Sequence, residues 1–162
     1  MVGGLSVTVR SLVAKDRSGM DILLSRIKEF DGEDGKVANE LLDIYLTQTT
    51  QDYEFLVAET QNGHVIGFIC YGHTPLTEGT YDLYWIAVDP DFAGRGVGQQ
   101  LLAEMEKLIR VAAGRLVVIE TSSSPLYTSA RNFYPKNGYH LAETISDFYR
   151  PGEDRLTYVK VL

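Results

Sequence analysis

Hydrophobic and polar positions alternate over residues 5–10, as in a half-buried strand, and then shift to helical spacing over residues 15–30 and 33–47, with Asp31-Gly32 breaking the two helices apart. These two helices read as a lid region. Strand patterns follow over residues 53–59 and 64–71, joined across Gln61-Asn62-Gly63, where Asn-Gly is a strong hairpin signal. Residues 72–79 read as a loop leading into a strand over 81–88. That strand is almost wholly apolar and aromatic from Leu83 to Val88, as expected of one covered on both faces. Val97, Leu101, Leu102, Met105, Leu108, Ile109 and Ala112 then recur at helical spacing, with Glu104, Glu106, Lys107 and Arg110 on the polar side. A buried strand over 115–121 follows, then a helix over 126–136 ended by Asn137-Gly138. Strands over 139–149 and 156–161 form a closing hairpin around residues 151–154. The order is β-α-α-β-β-β-α-β-α-β-β, with no internal repeat.

The strand and helix periods meet at Gly94, Gly96 and Gly98. Missing Cβ atoms let a ligand approach the backbone there, and the free amides of the helix start point outward at the positive end of its dipole. The turn reads as a phosphate cradle. A P-loop would need Gly-Lys-Ser/Thr at the helix start, but Gly96 is followed by Val97, Gly98 and Gln99. A dinucleotide fingerprint counted from Gly94 puts Gln99 where the third glycine belongs, and no βαβ unit opens the chain. The flanking strand and helix weigh against a ligand-free glycine turn. What remains, Ala93-Gly94-Arg95-Gly96-Val97-Gly98, resembles motif A of the GNAT acyl-CoA N-acyltransferase superfamily. There a strand ending Val-x-Pro, here Val88-Asp89-Pro90, leads through Gln/Arg-x-x-Gly-x-Gly/Ala into a helix opening with a Leu-Leu pair, here Leu101-Leu102. Ala93 departs from the pattern, removing one customary pyrophosphate contact.

A second motif, Ala130-Arg-Asn-Phe-Tyr-Pro-Lys-Asn-Gly-Tyr139, is similar to the family's Ala-x-x-hydrophobic-Tyr-x-x-x-Gly-Phe/Tyr, in which the tyrosine hydroxyl meets the coenzyme A sulfur. The resemblance assigns that role to Tyr134, and a phenol so placed can protonate a leaving thiolate. Pro135 should bend or end its helix, since proline removes a backbone donor. Tyr127 stands where the family often has Asn, leaving Ser122, Ser123 and Ser124 as substitutes to test.

The resemblance spans the whole chain and implies an α/β (α+β in some schemes) GNAT fold. In that fold a single twisted, mostly antiparallel mixed sheet of about seven strands is flanked by about four helices. It also implies acetyl-CoA as cosubstrate, held by the backbone of Trp85, Ile86, Ala87 and Val88 at the pantetheine and by Ala93, Gly94, Arg95, Gly96, Val97, Gly98 and Gln99 at the pyrophosphate. For the base that deprotonates the amine there are two candidates. Asp82 falls where some family members carry a glutamate. Glu120 ends the apolar run 116–119 and would be a poised base if burial raised its pKa. His73 and Glu78 are candidate lining of the acceptor pocket. Asp31, Glu33 and Asp34 form an acidic turn that reads more simply as solvated. The closing segment 147–160 is similar to that of enzymes acetylating protein N-termini, and also to small-amine acetyltransferases.

Composition narrows the setting. At 162 residues and 44% hydrophobic the chain suits one domain, residues 1–162. A formal charge of −7 and a pI near 4.9, with no basic stripe, argue against a nucleic-acid partner. A single cysteine, no secretory leader pattern and no apolar run long enough for a bilayer point to a cytoplasmic protein with no membrane partner. His64, His73, His140 and Cys70 lack zinc-ligand spacing, so no metal is expected. The resemblance implies a primary amine as acceptor, on a small molecule or a peptide, and a homodimer is compatible with the sequence. The rival reading is a non-catalytic acyl-CoA sensor or protein-interaction domain, against which the retained Tyr134 argues.

Overall fold

Element boundaries follow the changes of hydrophobic period to within a few residues. The computed structural model describes residues 4–47 and 52–162. In chain order these form β1 (Val7–Ser11), α1 (Arg17–Ser25), α2 (Glu33–Thr47), β2 (Glu54–Thr60), β3 (Val65–His73), β4 (Thr80–Val88), α3 (Val97–Val111), β5 (Leu116–Ser122), α4 (Thr128–Lys136), β6 (His140–Arg150) and β7 (Glu153–Val161). The strands make a seven-stranded mixed sheet in the order β1-β2-β3-β4-β5-β7-β6. The β4–β5 pair is parallel, while β1–β2, β2–β3, β5–β7 and β6–β7 are antiparallel. The expected element order and the mixed, mostly antiparallel sheet are therefore present.

Two helices differ from the sequence pattern. Residues 15–30 are not one helix but a single turn, Ala14–Asp16, then α1, then a second turn, Lys28–Phe30, with Ile27 extended between them (φ −111°, ψ 117°). The second turn lies against the first turn of α2 so closely that a side chain at Gly35 would collide with the Phe30 carbonyl oxygen. The Phe30 ring packs on Phe68 (5.7 Å) and Trp85 (6.3 Å), and these tertiary contacts override local helical preference. The fourth helix begins at Thr128, not 126, because the Ser124 hydroxyl accepts from the Leu126 N–H and fixes a separate turn, Pro125–Tyr127. It ends as expected. The N–H of Gly138 (φ 88°) donates to the Pro135 carbonyl and that of Tyr139 to the Tyr134 carbonyl, a Schellman closure directly after Pro135.

The chain divides into two compact units, one of residues up to Tyr71 with Trp85–Leu108, the other Gly72–Tyr84 with Ile109–Leu162. In the first, Phe55 and Val57 of β2 share a face with Cys70 and Phe68 of β3. They pack with Met20, Leu23, Leu24, Phe30, Ala38 and Leu42 from the two N-terminal helices. Those helices, expected as a lid, are a core layer of this unit. On the other face α3 crosses Gly67, where a Cβ would stand 3.1 Å from the Ala87 carbonyl oxygen, 3.2 Å from Leu101 Cδ1 and 3.4 Å from Val97 Cγ1. In the second unit, Val117 and Ile119 of β5 are buried with Tyr134, Tyr139 and Tyr158.

The first unit is pinned at its N-terminal edge by Arg10, whose guanidinium forks onto Asp16 (2.7 and 2.8 Å) while its Nε bonds Glu59 (2.9 Å). Asp16, 5% exposed, also accepts from the Val13 amide. The Arg10 guanidinium holds the Asp16 carboxyl below the usual carboxylate range, with the Val13 amide adding to the effect, and it does the same to Glu59. A carboxyl with a depressed folded-state pKa stabilises the fold above its unfolded value of about 3.9, and that contribution fades as pH falls through the folded value. Replacing Asp16 by Ala should therefore cost about 2–3 kcal/mol at neutral pH. Urea unfolding should show the gap from the unaltered protein closing as pH drops below about 4; equal midpoints at pH 7 would contradict this.

Candidate active site

The first unit carries the glycine turn. After β4, Asp89 donates its N–H to the Ile66 carbonyl of β3 (2.8 Å), and its carboxylate accepts from the Asp91 N–H (2.9 Å), fixing a turn at Pro90–Phe92. Arg26, at the end of α1, reaches both carboxylates of this turn, Asp89 at 2.8 Å and Asp91 at 2.7 Å. Gly94 and Gly96 both hold left-handed backbone (φ 73° and 84°). Space is open around each: nothing lies within 4 Å of a Cβ at Gly94, and only Gln99 Oε1, at 4.0 Å, is near one at Gly96. The first bond inside α3 runs from the Gln100 N–H to the Gly96 carbonyl (3.1 Å), so the amides of Val97, Gly98 and Gln99 precede the helical ladder. Ala93 and Arg95 are exposed, and the Arg95 guanidinium lies 5.6 Å from the Phe92 ring centre. Open space, left-handed glycines and unladdered amides form a cradle that fits an anion of phosphate size.

Trp85 and Ala87 of the same unit pack against its core, the indole edge-on to Phe30 at 6.3 Å. The β4–β5 ladder covers only Thr80 to Leu83, paired with Leu116 to Ile119; β4 continues to Val88 and β5 to Ser122. The backbone of Trp85, Ile86, Ala87 and Val88 thus lies past the end of that ladder.

The second unit holds Asp82, Glu120 and Tyr134. Directly paired strand residues share a face. The pairs Asp82–Val118, Val118–Val159 and Glu120–Thr157 therefore put Asp82 and Glu120 on one face of the sheet, and Ile119–Tyr158 lies on the other. Tyr134 packs on Tyr158 (5.8 Å) and Tyr139 (6.2 Å), hence on that second face. It is 5% exposed, and burial pushes its phenol well above the ordinary value, which keeps it protonated.

Asp82 is half-buried and accepts a 2.7 Å hydrogen bond from the Thr74 hydroxyl, an orienting partner that no sequence signal singles out. Glu120 is different. Its side chain is 52% exposed and stands 3.6 Å from Arg155, so the burial on which its reading as a poised base depended is absent. Among the described residues the carboxylate that burial does raise is Glu54 at the head of β2, whose neighbours Tyr45 and Cys70 belong to neither motif. The three serines are committed elsewhere. Ser122 donates to Glu153 (2.5 Å), Ser123 accepts from the Asp154 amide (2.8 Å), and Ser124 caps the turn before α4. His73 and Glu78 are exposed, the histidine edge-on to Tyr81 at 5.4 Å. Among the described residues no cluster of His, Cys, Asp or Glu is arranged to hold a metal, and no helix is long and apolar enough to cross a membrane.

Known proteins resemble this chain in sequence and fold. The acetyltransferase (GNAT) domain model matches residues 51–141. An uncharacterized N-acetyltransferase of Methanocaldococcus jannaschii is 30% identical over 107 residues, which is 65% of this chain and 65% of that protein, so the chain spans just under two thirds of its length. A crystal structure of a GNAT-family acetyltransferase from Desulfovibrio desulfuricans superposes with a TM-score of 0.89 at 37% identity, covering 96% of this chain and 99% of that one. An aminoglycoside 6'-N-acetyltransferase complexed with coenzyme A shares the fold (TM-score 0.75, 15% identity, 95% and 96% covered). With the family model matched over more than half its length, on the segment that builds the glycine turn, this chain belongs to the GNAT acetyltransferase family.

Proposed function

We propose that this protein transfers an acetyl group from acetyl-CoA to a primary amine, on a small molecule or a peptide, by direct attack in a ternary complex. The observation that carries the reading is the passage from β4 into α3, where two left-handed glycines with open space precede a helix whose first amides lie outside its ladder. In this reading the backbone of Ala93, Gly94, Arg95, Gly96, Val97, Gly98 and Gln99 takes the pyrophosphate, and Arg95 adds positive charge. The backbone of Trp85, Ile86, Ala87 and Val88 takes the pantetheine. A coenzyme A complex of a structural neighbour supports the choice of ligand.

The chemistry needs a neutral amine, a place for the developing oxyanion and a proton for sulfur. The amine nitrogen attacks the thioester carbonyl, whose oxygen gains charge beside backbone N–H groups of β4. As the carbon–sulfur bond breaks, sulfur leaves with the bonding pair and takes the Tyr134 proton. The proton lost by the amine passes to Asp82 or Glu120, leaving an amide and coenzyme A. Asp82 ranks first because Thr74 fixes its orientation, while Glu120 is exposed beside Arg155. Base and acid on opposite faces of one sheet suit an amine and a thioester arriving from opposite sides.

Calorimetric titration with acetyl-CoA, followed by thiol release against amines and N-terminal peptides, tests the reading; no binding would sink it, and binding without release to any acceptor would leave a sensor. Gly96→Asp should abolish coenzyme A binding, because it adds a like charge to the cradle and strains a left-handed backbone position. Retained affinity would remove the cradle from the proposal. Tyr134→Phe should lower kcat by roughly 10²-fold while the dissociation constant for coenzyme A stays within a factor of about two. Unchanged turnover would exclude the phenol as the acid.

A further inference from the structure

Arg155 of β7 is held in a way that no structural ion pair requires. Its side chain is 21% exposed, its guanidinium lies 4.7 Å from the Phe148 ring centre, and its Nε is buried with no hydrogen-bond partner. The nearest carboxylates, Glu120 and Glu143, stand 3.6 and 3.7 Å from its two terminal nitrogens, beyond ordinary hydrogen-bond length. Arg10 in the same chain shows what an arginine committed to stability does, forking onto Asp16 at 2.7 and 2.8 Å. A second orphan sits beside Arg155. Thr157 pairs in register with both Glu120 and Glu143; it is 9% exposed, and its hydroxyl has no partner. Glu120, Glu143, Arg155 and Thr157 share the face that carries Asp82, opposite Tyr158.

We infer that this face receives the acceptor, and that the acceptor is a compact zwitterion, an amine whose own carboxylate lies within a few bonds, as in an α-amino acid; this rests on the acetyltransferase reading above. The planar guanidinium, oriented by Phe148 and with donors to spare, matches a carboxylate bidentately. The carboxylates beside it match the ammonium form of the arriving amine. A simple anion would meet three carboxylates on this face, and a simple polyamine would meet a fixed guanidinium between two of them. A zwitterion answers both signs. The spacing of less than 4 Å between Arg155 and either glutamate requires the two ligand charges to be close together. Arg155 is thus a specificity-determining residue, and Thr157 supplies a hydroxyl to the same group.

The test pairs each common α-amino acid with the amine that lacks only its carboxylate, measuring acetyl-CoA-dependent thiol release by the unaltered protein, Arg155→Gln and Arg155→Lys. At least one amino acid should exceed its decarboxylated partner in kcat/KM by roughly 30-fold or more. Arg155→Gln should bring that ratio near one, chiefly through KM for the acceptor, with coenzyme A affinity and the urea midpoint retained as evidence of folding. Arg155→Lys should recover part of the preference. Decarboxylated amines used equally well or better, or a preference that survives Arg155→Gln, would overturn the inference. Calorimetry of the same amino acids on the protein separates the two proposals: binding that Arg155→Gln abolishes, without turnover, would support the zwitterion site and count against the transferase, whereas turnover of decarboxylated amines alone would do the reverse.

Discussion

The position of α3 rests on a side chain that Gly67 does not have. A Cβ there would stand 3.1 Å from the Ala87 carbonyl oxygen, 3.2 Å from Leu101 and 3.4 Å from Val97, so the glycine lets β3, the end of β4 and the start of α3 come this close. Val97 is the first residue of the helix whose leading amides form the cradle, and Ala87 lies in the strand segment just before the turn. One missing methyl group therefore lies beside both the strand end and the helix start that flank the glycine turn. Packed interiors make such a gauge stiff, because neighbours have no room to yield.

β-Strand alternation supplies the second constraint. Ile119 and Glu120 are adjacent in sequence, yet they face opposite sides of the sheet, one paired with Tyr158 and the other with Thr157. Tyr134, stacked on Tyr158, inherits the first side; Asp82, in register with Val118, inherits the second. The sheet acts as a partition that puts the Tyr134 phenol on one side and the Asp82 and Glu120 carboxylates on the other. A slip of one residue in the β5–β7 register would turn Tyr158 to the face of Asp82 and Glu120.

Features set by neighbours in the chain were legible in the sequence. The glycine turn showed as a change of period with glycines at the join, and the end of α4 showed as Asn137-Gly138, because helix closure needs only a left-handed residue at the next position. Features set by distant partners were not. The bend at Ile27 has no proline or glycine to announce it, and just beyond it the Phe30 ring packs on Phe68 and Trp85. Glu120 follows an apolar run and invites a buried reading, while strand pairing alone brings Arg155 beside it. The serines of β5 and the following turn offered spare hydroxyls until the β6–β7 hairpin was seen to use those of Ser122 and Ser123. Arg155 itself carried no signal, since its interest lies in bonds it does not make.

Cys70, the one cysteine in the chain, is fully buried on β3 in the core shared with β2 and the N-terminal helices, and burial pushes its thiol far up the pH scale. A thiol so placed has almost no thiolate at neutral pH and cannot take up an acyl group in passing. Burial of its one thiol leaves the folded protein with no sulfhydryl exposed to a thiol-reactive chromophore.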